Sequence, residues 1–151
     1  MIVLDTNVLS ALMHHTPDRN VIAWLDKQPR TSIWTTSVTV LEVRFGLQIM
    51  LAAKRRSSLI RAFEEVLEKI GHGVAPFDLA AAQQADDLMA YRRRAGRLVE
   101  LRDTMIAGIV LARHATLATR NTAHFDDLSV RLINPWTPLE RAASRGLRLK
   151  L

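Results

Sequence analysis

No cysteine occurs anywhere in the 151 residues, which excludes disulfides and thiolate metal sites together and fits a reducing compartment. No uninterrupted apolar run approaches the roughly 20 residues of a membrane span. Nor does a basic stretch precede the apolar start, where Asp5 and Asn7 interrupt the run before a signal-peptide core can form. We therefore expect a soluble, cytoplasmic protein with no membrane partner. The histidines, His14, His15, His72, His114 and His124, show no zinc-hydrolase spacing such as H-E-x-x-H, and neither a P-loop nor a G-x-G-x-x-G is present. Internal repeats are absent, as is any linker that would split the chain. A single domain over 1–151 is expected, with a peripheral tail from about residue 137.

What is present is the composition of an ordinary globular protein, 48% hydrophobic and 24% charged, at a length that buries roughly 70% of the unfolded surface. Lys and Arg number 21 against 15 Asp and Glu, a formal net charge of +6, and most of the cations are Arg. A planar guanidinium pairs well with phosphate, so this excess suits a polyanionic partner. A bias towards Arg codons would produce the same excess with no function behind it.

Ile2 to Leu4 read as a short buried strand, because no polar alternation marks a wet face. Thr6-Asn7 then cap a helix carrying Val8, Leu9, Leu12 and Met13, and Asp18 caps a second through Val21, Ile22 and Leu25. Thr31 to Thr36 are β-rich, and Ser37 is placed to cap a helix whose apolar stripe is Val38, Leu41, Phe45 and Ile49. A helix over Ser57 to Ile70, a brief strand Val74 to Phe77 and an Asp78-capped helix to Arg94 follow. The remainder reads as a helix from Asp103 to His114, a strand Thr116 to Thr119 and a last short strand around Val130 to Ile133. Strands separated by helices require crossovers, so the fold class is α/β: three layers, α/β/α, about a mainly parallel sheet of roughly four or five strands. Ligands of such sheets bind beyond the carboxyl ends of the strands.

Four side chains meet that condition. Asp5 ends the first strand, Glu42 lies on the helix after the second, Asp103 opens its helix, and Asn121 follows the strand ending at Thr119. Asp5 and Asp103 also read as simple helix caps. Glu42 falls on the stripe of Val38, Leu41 and Phe45, and a buried carboxylate must be paired or bound to a metal; Arg44 or Arg120 could supply a plain salt bridge instead. Gathered carboxylates without a counter-charge raise one another's pKa unless a divalent cation neutralises them. Oxygen donors without Cys suit Mg²⁺, or Mn²⁺ in its place, and such an ion activates water for displacement at phosphorus. A basic chain with such a site points to a nuclease.

The stretches Leu4-Asp5-Thr6-Asn7, Val40-Leu41-Glu42-Val43-Arg44-Phe45-Gly46, Asp103-Thr104-Met105-Ile106-Ala107 and Leu117-Ala118-Thr119-Arg120-Asn121-Thr122-Ala123-His124-Phe125 together resemble the PIN-domain ribonucleases. The likeness is greatest to the VapC toxins of bacterial type II toxin-antitoxin modules, including their FitB-like branch, and the ending Ile133-Asn134-Pro135-Trp136 is similar too. The resemblance implies that Asp5, Glu42 and Asp103 are the acidic metal-site residues, Asp5 and Asp103 above all, and that Asn121 stands where many members carry a fourth acid. Thr6, Asn7 and Thr119 become supporting or phosphate-orienting groups. Arg102 and Arg120 become RNA contacts, unless Arg120 neutralises the acids. The implied activity is Mg²⁺-dependent endoribonuclease cleavage of single-stranded or loop RNA. The implied partners are a cognate antitoxin, a second copy in a homodimer, a higher hetero-oligomer with the antitoxin, and operator DNA reached only through it.

Three further features have competing readings. Arg92-Arg93-Arg94 with Arg97 form either an RNA track or a solvated helix end, and Asp126-Asp127 either a polar turn or a substitute for the fourth acid. Trp24, Trp34 and Trp136 could stack on bases, but Trp24 and Trp34 fall in elements expected to pack. The rival functions are a PIN-fold module that binds RNA or antitoxin without chemistry, and a phosphohydrolase of the haloacid-dehalogenase type. The latter needs an acid where Asn7 stands.

Overall fold

The computed structural model describes residues 1–71 and 73–138; from 139 onward the tail expected to be peripheral lies outside the described residues. Strand β1 (Ile2–Leu4) leads through α1 (Thr6–Leu12) and α2 (Arg19–Asp26) to β2 (Ile33–Thr36). Helices α3 (Ser37–Gln48) and α4 (Ala53–Lys69) follow, then β3 (Val74–Ala75), α5 (Leu79–Arg94), α6 (Leu101–Ala112), β4 (Thr116–Ala118) and β5 (Leu132–Ile133). The strands form one sheet in the order β3-β2-β1-β4-β5, and every pairing is parallel. Parallel neighbours cannot be joined by tight turns, so helices carry each return, as the spacing of apolar runs predicts.

Successive strand residues face opposite sides of the sheet, and this alternation sorts the core. Val3 and Leu117 join Ile106, Ile109, Val110 and Phe125 on the side covered by α5 and α6. Leu4, Ala118 and Ile33 point the other way, onto Val8, Val21 and Trp24 of α1 and α2. A further cluster of Leu9, Val43, Leu47, Phe63 and Val66 fills the space where α1, α3 and α4 meet.

Several local details differ from the sequence reading. Thr31 and Ser32 belong to a 3-10 turn, Arg30–Ser32, because the Ser32 backbone N–H and hydroxyl both donate to the Pro29 carbonyl, at 2.9 and 2.6 Å. Thr36, not Ser37, caps α3 by accepting from the Thr39 N–H at 3.0 Å; the Ser37 hydroxyl instead accepts from Phe77 N–H. The expected stripe of α3 is corrected most. Val38 is buried, but Leu41, Phe45 and Ile49 are 61%, 56% and 61% exposed, and the inward face is Thr39, Val43 and Leu47. The physical reason is that α1 and α4 cover the face carrying Val43 and Leu47.

Helices α5 and α6 approach so closely that a Cβ at Gly108 would collide with the Ala81 carbonyl oxygen and come within 2.9 Å of Ala85 Cβ. Gly108→Ala will therefore cost about 1–3 kcal/mol, read as a melting temperature lower by roughly 2–4 °C per kcal/mol. An unchanged melting curve would mean that the two helices part freely.

Candidate active site

The parallel register brings the ends of β1, β2 and β4 to one edge. There Asp5 leaves the strand in an extended conformation and caps α1. Its side chain is 4% exposed. One carboxylate oxygen accepts from the Thr6 N–H at 2.8 Å; the other accepts from Asn7 Nδ2 at 2.9 Å and Thr119 Oγ1 at 2.7 Å. Thr119 is fully buried and also accepts from the Asn121 N–H at 3.0 Å, so one hydroxyl ties the Asp5 carboxylate to the start of the Asn121 segment. The cap reading of Asp5 is thus correct, and incomplete: burial raises its pKa above the usual carboxylate range despite these bonds, and the charge of Asp103 raises it further.

Glu42 reaches the same edge from α3. Its Oε1 accepts from Thr6 Oγ1 at 2.9 Å, and its Oε2 lies 3.6 Å from Arg102 Nη1. Burial pushes its pKa up, the Thr6 hydroxyl and Arg102 oppose this, and the charges of Asp5 and Asp103 add to the rise. The salt bridge weighed from sequence therefore exists, with Arg102 in place of Arg44 or Arg120. Arg102 is half-exposed and shared with Glu100 at 3.6 Å, so solvent weakens it.

Asp103 does not cap α6. Glu100 does, accepting from the Asp103 N–H at 2.7 Å, which shifts the helix start to Leu101 and leaves the Asp103 side chain free to contact His124 Nδ1 at 3.0 Å. Asn121 is exposed, opening the 3-10 turn Thr122–Phe125. Asp5, Glu42 and Asp103 are thus within electrostatic reach of one another, while among the described residues no group of three or more His, Asp or Glu side chains is arranged to hold a metal ion. The donor set nevertheless fits a hard dication, because Mg²⁺ keeps several waters and is commonly held by one or two carboxylates.

The arginine run is corrected. Arg92 is buried and grips Asp127 with two bonds, Nε to Oδ2 at 2.7 Å and Nη2 to Oδ1 at 2.8 Å. It also donates to the His124 carbonyl at 2.9 Å and to Thr104 Oγ1 at 3.3 Å. Arg97 pairs with Asp126 at 2.7 Å. Arg92 and Arg97 are therefore spent on structure, and Asp127 is occupied by a guanidinium that holds its pKa below the usual range, so it cannot replace a fourth acid. Arg93 and Arg94 stay exposed at the end of α5, and further open positive charge lies around a groove of about 680 Å³ between α1 and α4 edged by Arg55, Arg61 and Lys69. Arg120 is turned from the acids, its guanidinium carbon 5.0 Å from the centre of the Trp136 ring. Sequence reasoning did not single out Thr39, whose hydroxyl joins Thr6 to Thr36; its i, i+3 spacing from Thr36 is the signal that was there to find.

Two outcomes follow from this geometry. Arg92→Met removes both short bonds to Asp127 and leaves it only the 3.7 Å contact with Arg97, and will lower stability by about 1–3 kcal/mol in denaturant titrations; no measurable loss would show that Arg97 and water replace the guanidinium. Asp5 and Glu42 have raised pKa values, so the stability they lend is complete below the ordinary carboxylate range and is lost as pH rises through the raised values. Metal-free protein will therefore lose melting temperature as pH rises above the ordinary carboxylate range, and Glu42→Gln, with no charge to bury, will lose less. Equal slopes would contradict the burial account.

Comparison with known proteins agrees with the fold. The family model of the PIN domain matches residues 2–130. The chain is 42% identical over 139 residues to VapC ribonuclease Y4jK of Sinorhizobium fredii, covering 91% of this chain and 99% of that protein. Its fold is similar to the crystal structure of FitAcB from Neisseria gonorrhoeae, with a TM-score of 0.81, 31% identity and coverage of 90% of this chain and 99% of that one. A structure of FitAB bound to the IR36 DNA fragment is equally similar, at TM-score 0.81 and 31% identity over 91% and 96% of the two chains. A five-stranded parallel sheet flanked by six helices thus has its counterpart in these proteins, and the chain belongs to the PIN-domain family, with VapC- and FitB-type toxins as its relatives.

Proposed function

We propose that this chain is an endoribonuclease toxin of a type II toxin-antitoxin module, cleaving single-stranded or loop RNA with Mg²⁺, or Mn²⁺ in its place. The observation that carries the reading is the Asp5 carboxylate. It is held at the sheet edge by Thr6, Asn7 and Thr119, its pKa is raised by burial and by Asp103, and no arginine pairs with it among the described residues. Asp5, Asp103 and Glu42 would hold the ion. When bound, it would neutralise these acids and supply activated water for attack at phosphorus.

The chain's own groups do the rest. Thr119, Asn7 and the Thr6 N–H fix the Asp5 oxygens in direction. Thr6 Oγ1 fixes Glu42, and the His124 ring restrains Asp103. Arg102, exposed beside Glu42, is available to an RNA phosphate, whereas Arg120 lies over the Trp136 ring. The exposed Asn121 side chain offers an amide oxygen where a fourth acid would repel substrate, so its role is to accept from a water rather than to bind an ion directly.

On the same reading the partners are RNA, a cognate antitoxin, a second copy of the chain in a homodimer that assembles further with the antitoxin, and operator DNA reached through that antitoxin, all in the cytoplasm. The exposed stripe of Leu41, Phe45 and Ile49 supports a protein-covered face.

Mapping of RNA 5′ ends after brief induction tests the activity. Wild type will produce discrete new ends, and Asp5→Asn will produce none; purified protein will lose cleavage on chelation and regain it with Mg²⁺. Thr119→Val, which removes one of the two donors on that Asp5 oxygen, will weaken metal binding by roughly 10–100-fold. RNA binding without cleavage at any metal concentration would favour a non-catalytic module.

A further inference from the structure

Beside the acids, on the other flank of α1, a recess of about 460 Å³ is lined by Asn7, Ser10, Thr16, Asp18, Arg120 and Trp136 among others. Nothing in the acid site uses it. Trp136 is anchored through its backbone, whose N–H donates to Asn134 Oδ1 at 3.0 Å and whose carbonyl accepts from Asn20 Nδ2 at 3.2 Å, and the residue packs against the core cluster of Leu4, Val8 and Ala118. Arg120 lies over the ring at 5.0 Å. Its backbone N–H donates to Asn7 Oδ1 at 3.0 Å, while Asn7 Nδ2 donates to Asp5. One side chain therefore separates this stacked pair from the acid that organises the site.

We propose that the recess is a nucleobase subsite, taking one unpaired base of the RNA next to the scissile phosphate. This rests on the endoribonuclease reading and adds to it a residue-level source of substrate preference. Single-stranded RNA is recognised by splayed bases stacked on aromatic rings and guanidinium planes and hydrogen-bonded at their edges. The Arg120–Trp136 pair supplies such a platform. Asp18 supplies the edge contact: its Oδ1 caps α2, accepting from Asn20 N–H and Val21 N–H, and its second oxygen has no partner among the described residues. That carboxylate repels a second phosphate and accepts from an amino or imino N–H of a base. The Ser10 and Thr16 hydroxyls complete the polar wall. The volume lies within the range of sites that enclose a small ligand.

The test uses the full chain and a fluorescein-labelled single-stranded RNA spanning a mapped cut, with anisotropy measured in chelator so that binding is read without cleavage. An abasic residue is placed in turn at each position flanking the cut. Removing the base at one flanking position will weaken binding by roughly tenfold, and Trp136→Leu will weaken binding of intact RNA similarly. Combined, the two changes will weaken it no more than either alone, because both remove the same contact. Arg120→Gln, at an exposed position, will give the same non-additive pattern and serves if Trp136→Leu does not fold. Losses that multiply, or an RNA whose flanking bases are all dispensable, would overturn the subsite while leaving cleavage intact. Absence of both binding and metal-dependent cleavage in wild type would bring down the endoribonuclease reading itself.

Discussion

The site is organised around one carboxylate that the fold keeps from water. Asp5 stands at the end of a central strand because the run Ile2–Leu4 pairs on both sides, with β2 and with β4. Its own N–H donates to the Ala118 carbonyl at 2.9 Å, so the backbone at the acid is part of the sheet. From that register the rest of the site follows: Thr119, one residue past the paired Ala118, arrives beside Asp5, and Asn121 arrives beside Thr119. Burying an ionised group is costly unless it is fully paired. Three donors offset part of that cost and leave the pKa raised, a combination that marks functional sites more often than structural ones.

Positive charge is divided between structure and surface. Arg92 and Arg97 bind the segment after β4 to the end of α5, through Asp127, Asp126 and two carbonyls. That segment carries His124, which touches Asp103, and begins at Asn121. The buried pair thus holds the fourth corner of the site at a distance from it. The cations of α4, Arg55, Arg61 and Lys69, are exposed and edge a groove in which Glu65 is the acid, and they account for part of the +6 that solution partners encounter.

Much of this was legible from residue order. Apolar runs ending on a polar cap mark strand-to-helix turns, and in a parallel sheet these all lie at one edge, so Asp5, Glu42 and Asp103 could be placed together before any contact was known. The face of α3 could not. Val38, Leu41, Phe45 and Ile49 satisfy the helical period as well as Val43 and Leu47 do, and only the neighbours, α1 and α4, choose between them. Glu42 sits between the buried face and the exposed one, which its spacing from Val38 and Leu41 does not show. The role of Arg92 was hidden because three consecutive arginines look solvated, and one of them turns inward only where Asp127 arrives from a segment 35 positions away. The start of α6 was misplaced by two residues because Glu100 is an unusual cap, longer than those the sequence rules favour.

Two arginine–acid pairs in this chain show how the fold discriminates between stabilising and keeping charge available. Arg92 and Asp127 are 3% and 7% exposed and meet with two short bonds, a geometry in which removing either partner strands a charge. Arg102 and Glu42 meet at 3.6 Å with the guanidinium half in solvent and shared with Glu100, a geometry worth little and readily exchanged. Had the second pair been built like the first, Glu42 would be neutralised and its pKa depressed. Instead it stays raised, through burial and through Asp5 and Asp103. The acids at the sheet edge are therefore under-neutralised while a salt bridge of full strength is formed within the same chain, and that contrast is what supports the proposed cation site at Asp5, Glu42 and Asp103.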